Sequence, residues 1–122
     1  MASILIVDDS PTETFRFKEI LSKNGFNTIE AVNGTDGVEM AKTALPDLVL
    51  MDVVMPGMNG FQATRQITRN AATQHIPVII VSTKDQATDR LWGKRQGAKD
   101  YLVKPIEEAK LIEVINFYLN AK

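Results

Sequence analysis

Asp8, Asp9, Asp52, Ser82 and Lys104 lie far apart in the chain, yet each stands at the end of a short apolar run. Ile4-Leu5-Ile6-Val7 leads into Asp8-Asp9, and Leu48-Val49-Leu50-Met51 leads into Asp52. Val78-Ile79-Ile80-Val81 leads into Ser82, and Tyr101-Leu102-Val103 leads into Lys104-Pro105. Gathered in one place, three carboxylates repel one another unless a divalent cation or a proton relieves them. Magnesium suits such a set, because it prefers a few carboxylates, carbonyl oxygens and retained waters. Lys104 can neutralise the acids or receive an anion as a point charge, and Ser82 can donate a hydrogen bond to the same anion. An aspartate nucleophile beside a cation and a lysine suits phosphoryl transfer, with Asp52 attacking in line. The product, an acyl phosphate, is prone to hydrolysis and so serves as a transient mark. Taken singly, each residue is unremarkable: an acidic turn, a strand-closing serine, a surface lysine before a turn proline. Their common position is what carries the reading.

That position depends on the elements. Apolar tetrapeptides of this kind are typical of parallel strands buried on both faces, and ligands bind beyond the carboxyl ends of such strands. Helical patterns alternate with the strands. Ser10-Pro11-Thr12-Glu13 reads as a capping box with proline at the first helical position, and Gly25 closes that helix. Thr28 to Val32 is a weaker strand interrupted by Glu30, which suits a sheet edge. Val38, Ala41 and Leu45 share a face of the second helix, which stops before Pro46. Met55-Pro56-Gly57-Met58-Asn59-Gly60 is an irregular loop, and a helix follows from Phe61 to Arg69. A poorly amphipathic helix from about Gln86 to Gln96 ends at Gly97. The last helix carries Glu107-Glu108 in its first turn, with Leu111, Ile112, Ile115, Tyr118 and Leu119 as its apolar stripe. Alternating strands and single helices predict right-handed crossovers and a parallel five-stranded sheet between two helix layers. The architecture expected is an α/β three-layer sandwich of flavodoxin-like (βα)5 type; periodicity does not give the strand order, and the weaker second strand at an edge is compatible with the order 2-1-3-4-5.

Bulk properties remove other classes. The 122 residues fit one domain. A net charge of −1 offers no general attraction to nucleic acid or to an anionic membrane. Cysteine is absent, which excludes disulfides, thiolate metal sites and cysteine nucleophiles. No apolar run approaches the roughly 20 residues that span a bilayer, and no signal-peptide pattern is present, so a cytoplasmic protein without membrane insertion is expected. There is no Walker loop and no GxGxxG motif, which argues against a nucleotide site. The single histidine, His75, lies in a polar stretch away from every strand end, so it reads as surface.

With these residues in place, the chain resembles the receiver domain of two-component response regulators along its whole length. The resemblance rests on Val7-Asp8-Asp9-Ser10, on Asp52 with Met55-Pro56-Gly57-Met58-Asn59-Gly60, on Ser82, on Gly97-Ala98-Lys99-Asp100-Tyr101 and on Lys104-Pro105. It implies that Asp52 accepts phosphate from a histidine kinase. It also implies Mg2+ bound by Asp9 and Asp52 directly, by Asp8 through water and by the Val54 carbonyl, with Ser82 and Lys104 on the phosphoryl group. Family members usually have a cis peptide before the proline at the position of Pro105. In them an aromatic at the position of Tyr101 swings inward when the serine moves, which alters the face of the fourth helix, fifth strand and fifth helix. Phe61-Gln62-Ala63-Thr64-Arg65-Gln66 and Trp92-Gly93-Lys94-Arg95-Gln96-Gly97-Ala98 further resemble regulators of type IV pilus twitching motility in chemotaxis-like pathways.

The expectation is therefore a single receiver domain over residues 1–122 with no output domain, acting as a monomer. It catalyses only its own phosphorylation and dephosphorylation, and its downstream motility partner is open. Two positions depart from the family habit. Thr83 follows Ser82 where a smaller residue is common, and Val54 cannot hold an attacking water through its side chain. A phosphatase of the haloacid dehalogenase type would place a second aspartate where Val54 stands. A phosphate sink in the same pathway, or a degenerate receiver that only binds protein, are the remaining alternatives. Trp92 either packs on the domain or stands exposed as a partner anchor flanked by Arg90, Lys94 and Arg95.

Overall fold

A computed structural model describes residues 1–120. The strands are β1 (Ser3–Val7), β2 (Asn27–Ala31), β3 (Leu48–Met51), β4 (Val78–Ser82) and β5 (Asp100–Val103). The helices are α1 (Pro11–Lys23), α2 (Gly34–Ala44), α3 (Gly60–Thr68), α4 (Ala87–Arg95) and α5 (Glu108–Asn120). All strand pairs are parallel, in the order β2-β1-β3-β4-β5. This is the order expected, with the weak second strand at the edge, where Glu30 stays exposed.

Successive side chains of a strand face opposite sides of the sheet, so each apolar run serves two cores. Leu5, Val7, Val49, Met51, Val78 and Ile80 pack with Val38 and Ala41 of α2 and Ala63 and Ile67 of α3. Ile4, Ile6, Leu48, Leu50, Ile79 and Val81 pack with α1 and with Leu111, Val114 and Ile115 of α5. Each fully buried aliphatic side chain contributes about 1.5–3 kcal/mol, which holds the register, because a one-residue slip would exchange the two cores. Among the described residues no helix is long and apolar enough to cross a membrane.

Three local expectations need correction. Leu45 does not share the buried face of α2. It caps the helix with φ 47° and is exposed, so of the three only Val38 and Ala41 lie on that face, beside the buried Gly34 and Gly37. At α1 only half of the capping box forms: Ser10 Oγ accepts from the Glu13 amide at 3.3 Å, while the Glu13 carboxylate turns to Lys104 at 3.8 Å. In α5, Val114 joins Leu111 and Ile115 in the buried stripe, and Ile112, Tyr118 and Leu119 pack at its border.

Candidate phosphoacceptor and metal site

The ladders of the sheet extend one residue past three of its strands, and that residue is the chemical one each time. Asp8 donates its amide to the Ala31 carbonyl at 3.1 Å, Asp52 to Val7 at 2.9 Å and Lys104 to Ser82 at 2.8 Å. Because Val7 pairs with Met51 and Ser82 with Val103, the residues that follow are brought side by side. Their backbones are thus held by the most buried part of the molecule, while their side chains enter the crevice above it.

Asp8, Asp9 and Asp52 each offer a carboxylate oxygen within 4.8 Å of the others. Asp8 is 2 % exposed, and its two oxygens are divided between the Ser10 amide at 2.9 Å and Lys104 Nζ at 2.9 Å. Asp52 accepts the Val53 amide on Oδ1 at 2.8 Å, and its Oδ2 faces Lys104 Nζ at 3.9 Å. Asp9 is exposed, at the open side of the group. Lys104, its side chain 8 % exposed, is the cation on which Asp8, Asp52 and Glu13 converge. Burial pushes the Asp52 carboxyl up to about 6, the charges of Asp8 and Asp9 add to this, and Lys104 and the Val53 amide oppose it. Three acids against one lysine leave an excess of negative charge in a partly dry crevice. Oxygen donors in that arrangement suit a hard divalent cation.

Ser82 is buried at the end of β4, and its Oγ accepts the Lys84 amide at 3.3 Å. Val54 lies three residues beyond β3 with an exposed side chain, and Thr83, next after Ser82, is exposed. The Lys104-Pro105 bond is cis. Tyr101 is turned inward: its hydroxyl donates to the Lys84 carbonyl at 2.7 Å, and its ring packs in the core. Burial first, then the charge of Asp89, pushes its phenol up. His75 is exposed, as its polar surroundings suggest.

Trp92 stands apart from this group. It is 53 % exposed, and it lines a different hollow from Arg90 and Lys94. Those two line a hollow with Tyr101 and Asp100, whereas Trp92 shares a groove with Phe61 and Arg65 of α3. The side chains of α4 diverge in this way because a helix turns about 100° per residue.

Three contributors were hidden in the sequence. Glu13 carried the signature of a capping box, which concealed its approach to Lys104. Gly60 looked like one more loop glycine. Yet its amide donates to the Val53 carbonyl at 2.9 Å, and a Cβ there would lie 1.9 Å from the Asp52 carbonyl oxygen. Gly93 lies inside α4, where glycine disfavours helix. It is the buried residue of that helix, and a Cβ there would meet Ile80 Cδ1 at 2.9 Å and Tyr101 Cδ2 at 3.1 Å.

Comparison with known proteins agrees with this geometry. The family model described as response regulator receiver domain matches residues 4–116. Protein PilH of Pseudomonas aeruginosa is 60% identical over 119 residues, covering 98% of both chains. The chemotaxis protein CheY of Bacillus subtilis is 42% identical over 118 residues, covering 96% of this chain and 97% of its own. Among solved structures, the receiver domain of a sensor histidine kinase from Pseudomonas aeruginosa PAO1, with a magnesium ion coordinated in its active site cleft, superposes with TM-score 0.92. It is 27% identical and covers 98% of both chains. The strand order, the acidic crevice and these matches agree: the chain belongs to the response regulator receiver domain family.

Proposed function

We propose that Asp52 is the phosphoacceptor of this receiver domain, charged by a histidine kinase and read out by motility machinery of the type IV pilus. The observation that carries the reading is the Asp8, Asp9 and Asp52 cluster within 4.8 Å, set against Lys104 at 2.9 Å from Asp8 and 3.9 Å from Asp52. Asp52 Oδ2 supplies the electron pair for the new O–P bond. The bond from phosphorus to the donor breaks in line, and its electron pair leaves on the imidazole or acetate. No general base is needed, because the nucleophile is already a carboxylate. Lys104 and the Ser82 hydroxyl receive the phosphoryl oxygens. Asp9, Asp52 and the Val54 carbonyl would hold Mg2+, with Asp8 close enough to assist. Bound there, Mg2+ supplies neutralisation of the transferring oxygens. The kinship with PilH supports the pilus assignment, and the chain acts as a monomeric single domain in the cytoplasm.

Output follows from two linked hydrogen bonds. Ser82 Oγ holds the Lys84 amide, and the Lys84 carbonyl holds the Tyr101 hydroxyl. Movement of Ser82 towards a phosphoryl oxygen therefore shifts the anchor of Tyr101 and biases the packing of the α4-β5-α5 face, a population shift between two arrangements.

Intact mass after incubation with acetyl phosphate and Mg2+ tests the assignment. A phosphoryl adduct on the native chain, absent from Asp52→Asn, is expected. An adduct that survives Asp52→Asn places the acceptor elsewhere, and no adduct with either acetyl phosphate or a cognate kinase leaves a module that only binds protein.

Two further outcomes follow from the crowding of charge. Free Mg2+ a hundredfold above its Kd is expected to stabilise the fold by about 2.7 kcal/mol, several degrees in Tm. A melting curve indifferent to Mg2+ contradicts the site. Asp52 must be ionised to attack, so at limiting Mg2+ the rate of adduct formation rises with pH through about 6 and then levels. Saturating Mg2+ moves that midpoint down. The stability of the metal-free fold runs the other way. The carboxyl is raised above its ordinary 3.8, so its contribution is present below that value and is lost as pH rises through about 6.

A further inference from the structure

The groove between α3 and α4 has a charge pattern that the phosphoacceptor chemistry does not use. The part between the two helices, about 280 Å³, is bounded by Asn59, Phe61, Gln62, Arg65, Trp92 and Gln96. It adjoins, at Gln62 and Arg65, a hollow of about 600 Å³ along α3 and the loop before it, bounded by these two residues with Gly57, Met58, Gln66 and Arg69 and by no residue of α4. No carboxylate lines either part. Arg65 and Arg69 are exposed and make no ion pair among the described residues. The hollow on the other side of α4 is different, since Asp100 lies there among Arg90, Lys94 and Lys99.

The walls are fixed relative to each other. Thr68 Oγ1 at the end of α3 donates to the Gln96 carbonyl at the end of α4 at 2.6 Å. Gly97 follows with φ 98°, and a Cβ there would meet Thr68 Oγ1 at 2.6 Å. At the other end, Asn59 caps α3, accepting the Gln62 amide at 2.9 Å and donating its own amide to Gln62 Oε1 at 3.0 Å. The groove is therefore preformed, and little ordering of the receptor opposes binding.

We propose that this groove docks an acidic segment of a partner protein bearing one bulky apolar side chain. The apolar side chain rests against Trp92, Phe61 and Met58. Carboxylates engage Arg65 and Arg69, whose spacing of four along a helix sets them about 6 Å apart along its axis. Arginine presents a planar fork to a carboxylate, and exposed tryptophan and arginine are the side chains that most often dominate binding energy. The absence of any acid in the lining selects a negative partner over a basic one by charge complementarity. This surface lies on the α3 side of α4, apart from the α4-β5-α5 face assigned to output above, and the proposal does not depend on Asp52.

Trp92 is the only tryptophan of the chain, so its fluorescence reports the groove directly. The probe is a helical alanine-based peptide with two glutamates four residues apart and a phenylalanine between them. It is compared with peptides carrying lysine for glutamate or alanine for phenylalanine. Titration of the acidic peptide is expected to shift Trp92 emission to the blue and to saturate. Affinity should fall about tenfold in the double variant Arg65→Gln, Arg69→Gln, matching the loss of two charge-assisted contacts. It should also fall as ionic strength rises. Lys110→Gln, on α5, should leave it unchanged, and calorimetry checks that Trp92→Ala weakens binding. No saturable shift overturns the proposal. So does equal binding of the lysine peptide, or an affinity untouched by the double variant. Sedimentation that shows self-association abolished by the double variant assigns the groove to a second copy of this chain, and also overturns it.

Discussion

Replacing Gly60 with alanine is expected to cost about 3 kcal/mol of stability, at the upper end for overpacking, and to lower Tm by about 10 °C for a domain of this size. The added methyl would lie 1.9 Å from the Asp52 carbonyl oxygen and 2.8 Å from Val53 Cα. Both neighbours are backbone atoms, so no side-chain rotation relieves the clash. Either α3 withdraws from the sheet, breaking the Gly60 amide to Val53 carbonyl bond, or the segment after β3 moves. The second response displaces Asp52 itself, so adduct formation with acetyl phosphate is expected to fall even in the fraction that remains folded. Thermal melting and intact mass check the two parts separately. A variant that melts with the native chain and phosphorylates at the native rate contradicts the close approach of α3.

Lys104→Met should have the second large effect, and one that depends on conditions. The methionine keeps the length of the side chain but removes the cation on which Asp8, Asp52 and Glu13 converge. Stripping one partner from a buried ion pair costs about 3–5 kcal/mol. The lower end is expected here, because Asp9 and one side of Asp52 are open to water. Lys104 is the main influence holding the Asp52 carboxyl down against burial, so its removal raises that group further above about 6. A group raised in the folded state adds stability below its unfolded value and loses it as pH rises through the folded one. The deficit of Lys104→Met therefore grows between mildly acidic and neutral pH. Mg2+ should recover much of it by supplying the missing positive charge. The rate of phosphorylation should still drop about 100-fold, the usual loss when one preorganised charge is removed from a transition state. Denaturant unfolding across pH, with and without Mg2+, reads the first effect, and adduct formation over time reads the second. A deficit independent of both pH and Mg2+ would mean that Lys104 acts by packing alone.

The two variants separate what packing does for this site from what charge does. Gly60 keeps Asp52 where the sheet delivers it, and Lys104 sets the electrostatic conditions around its carboxylate.

By itself the sequence determined the architecture and the position of every strand-end group. Apolar runs of four residues alternating with single helices fit strands buried on both faces of a parallel sheet, and such a sheet presents its chemistry beyond the carboxyl ends of its strands. For the same reason the sequence alone brings Asp8, Asp52 and Lys104 together. Tertiary structure alone decided what each side chain meets across an interface. Periodicity names the buried face of a helix, not the neighbour that covers it. Thus Trp92 turns to α3 while Arg90 and Lys94 turn to Tyr101, and Leu45 leaves the face its spacing suggested. Glu13 faced two partners within reach, a backbone amide and a buried ammonium, and only the approach of the segment after β5 to α1 decided for the ammonium. Gly60 and Gly93 matter for the atoms that approach them, and those atoms come from the segment after β3, from β4 and from β5, which no local pattern can reveal.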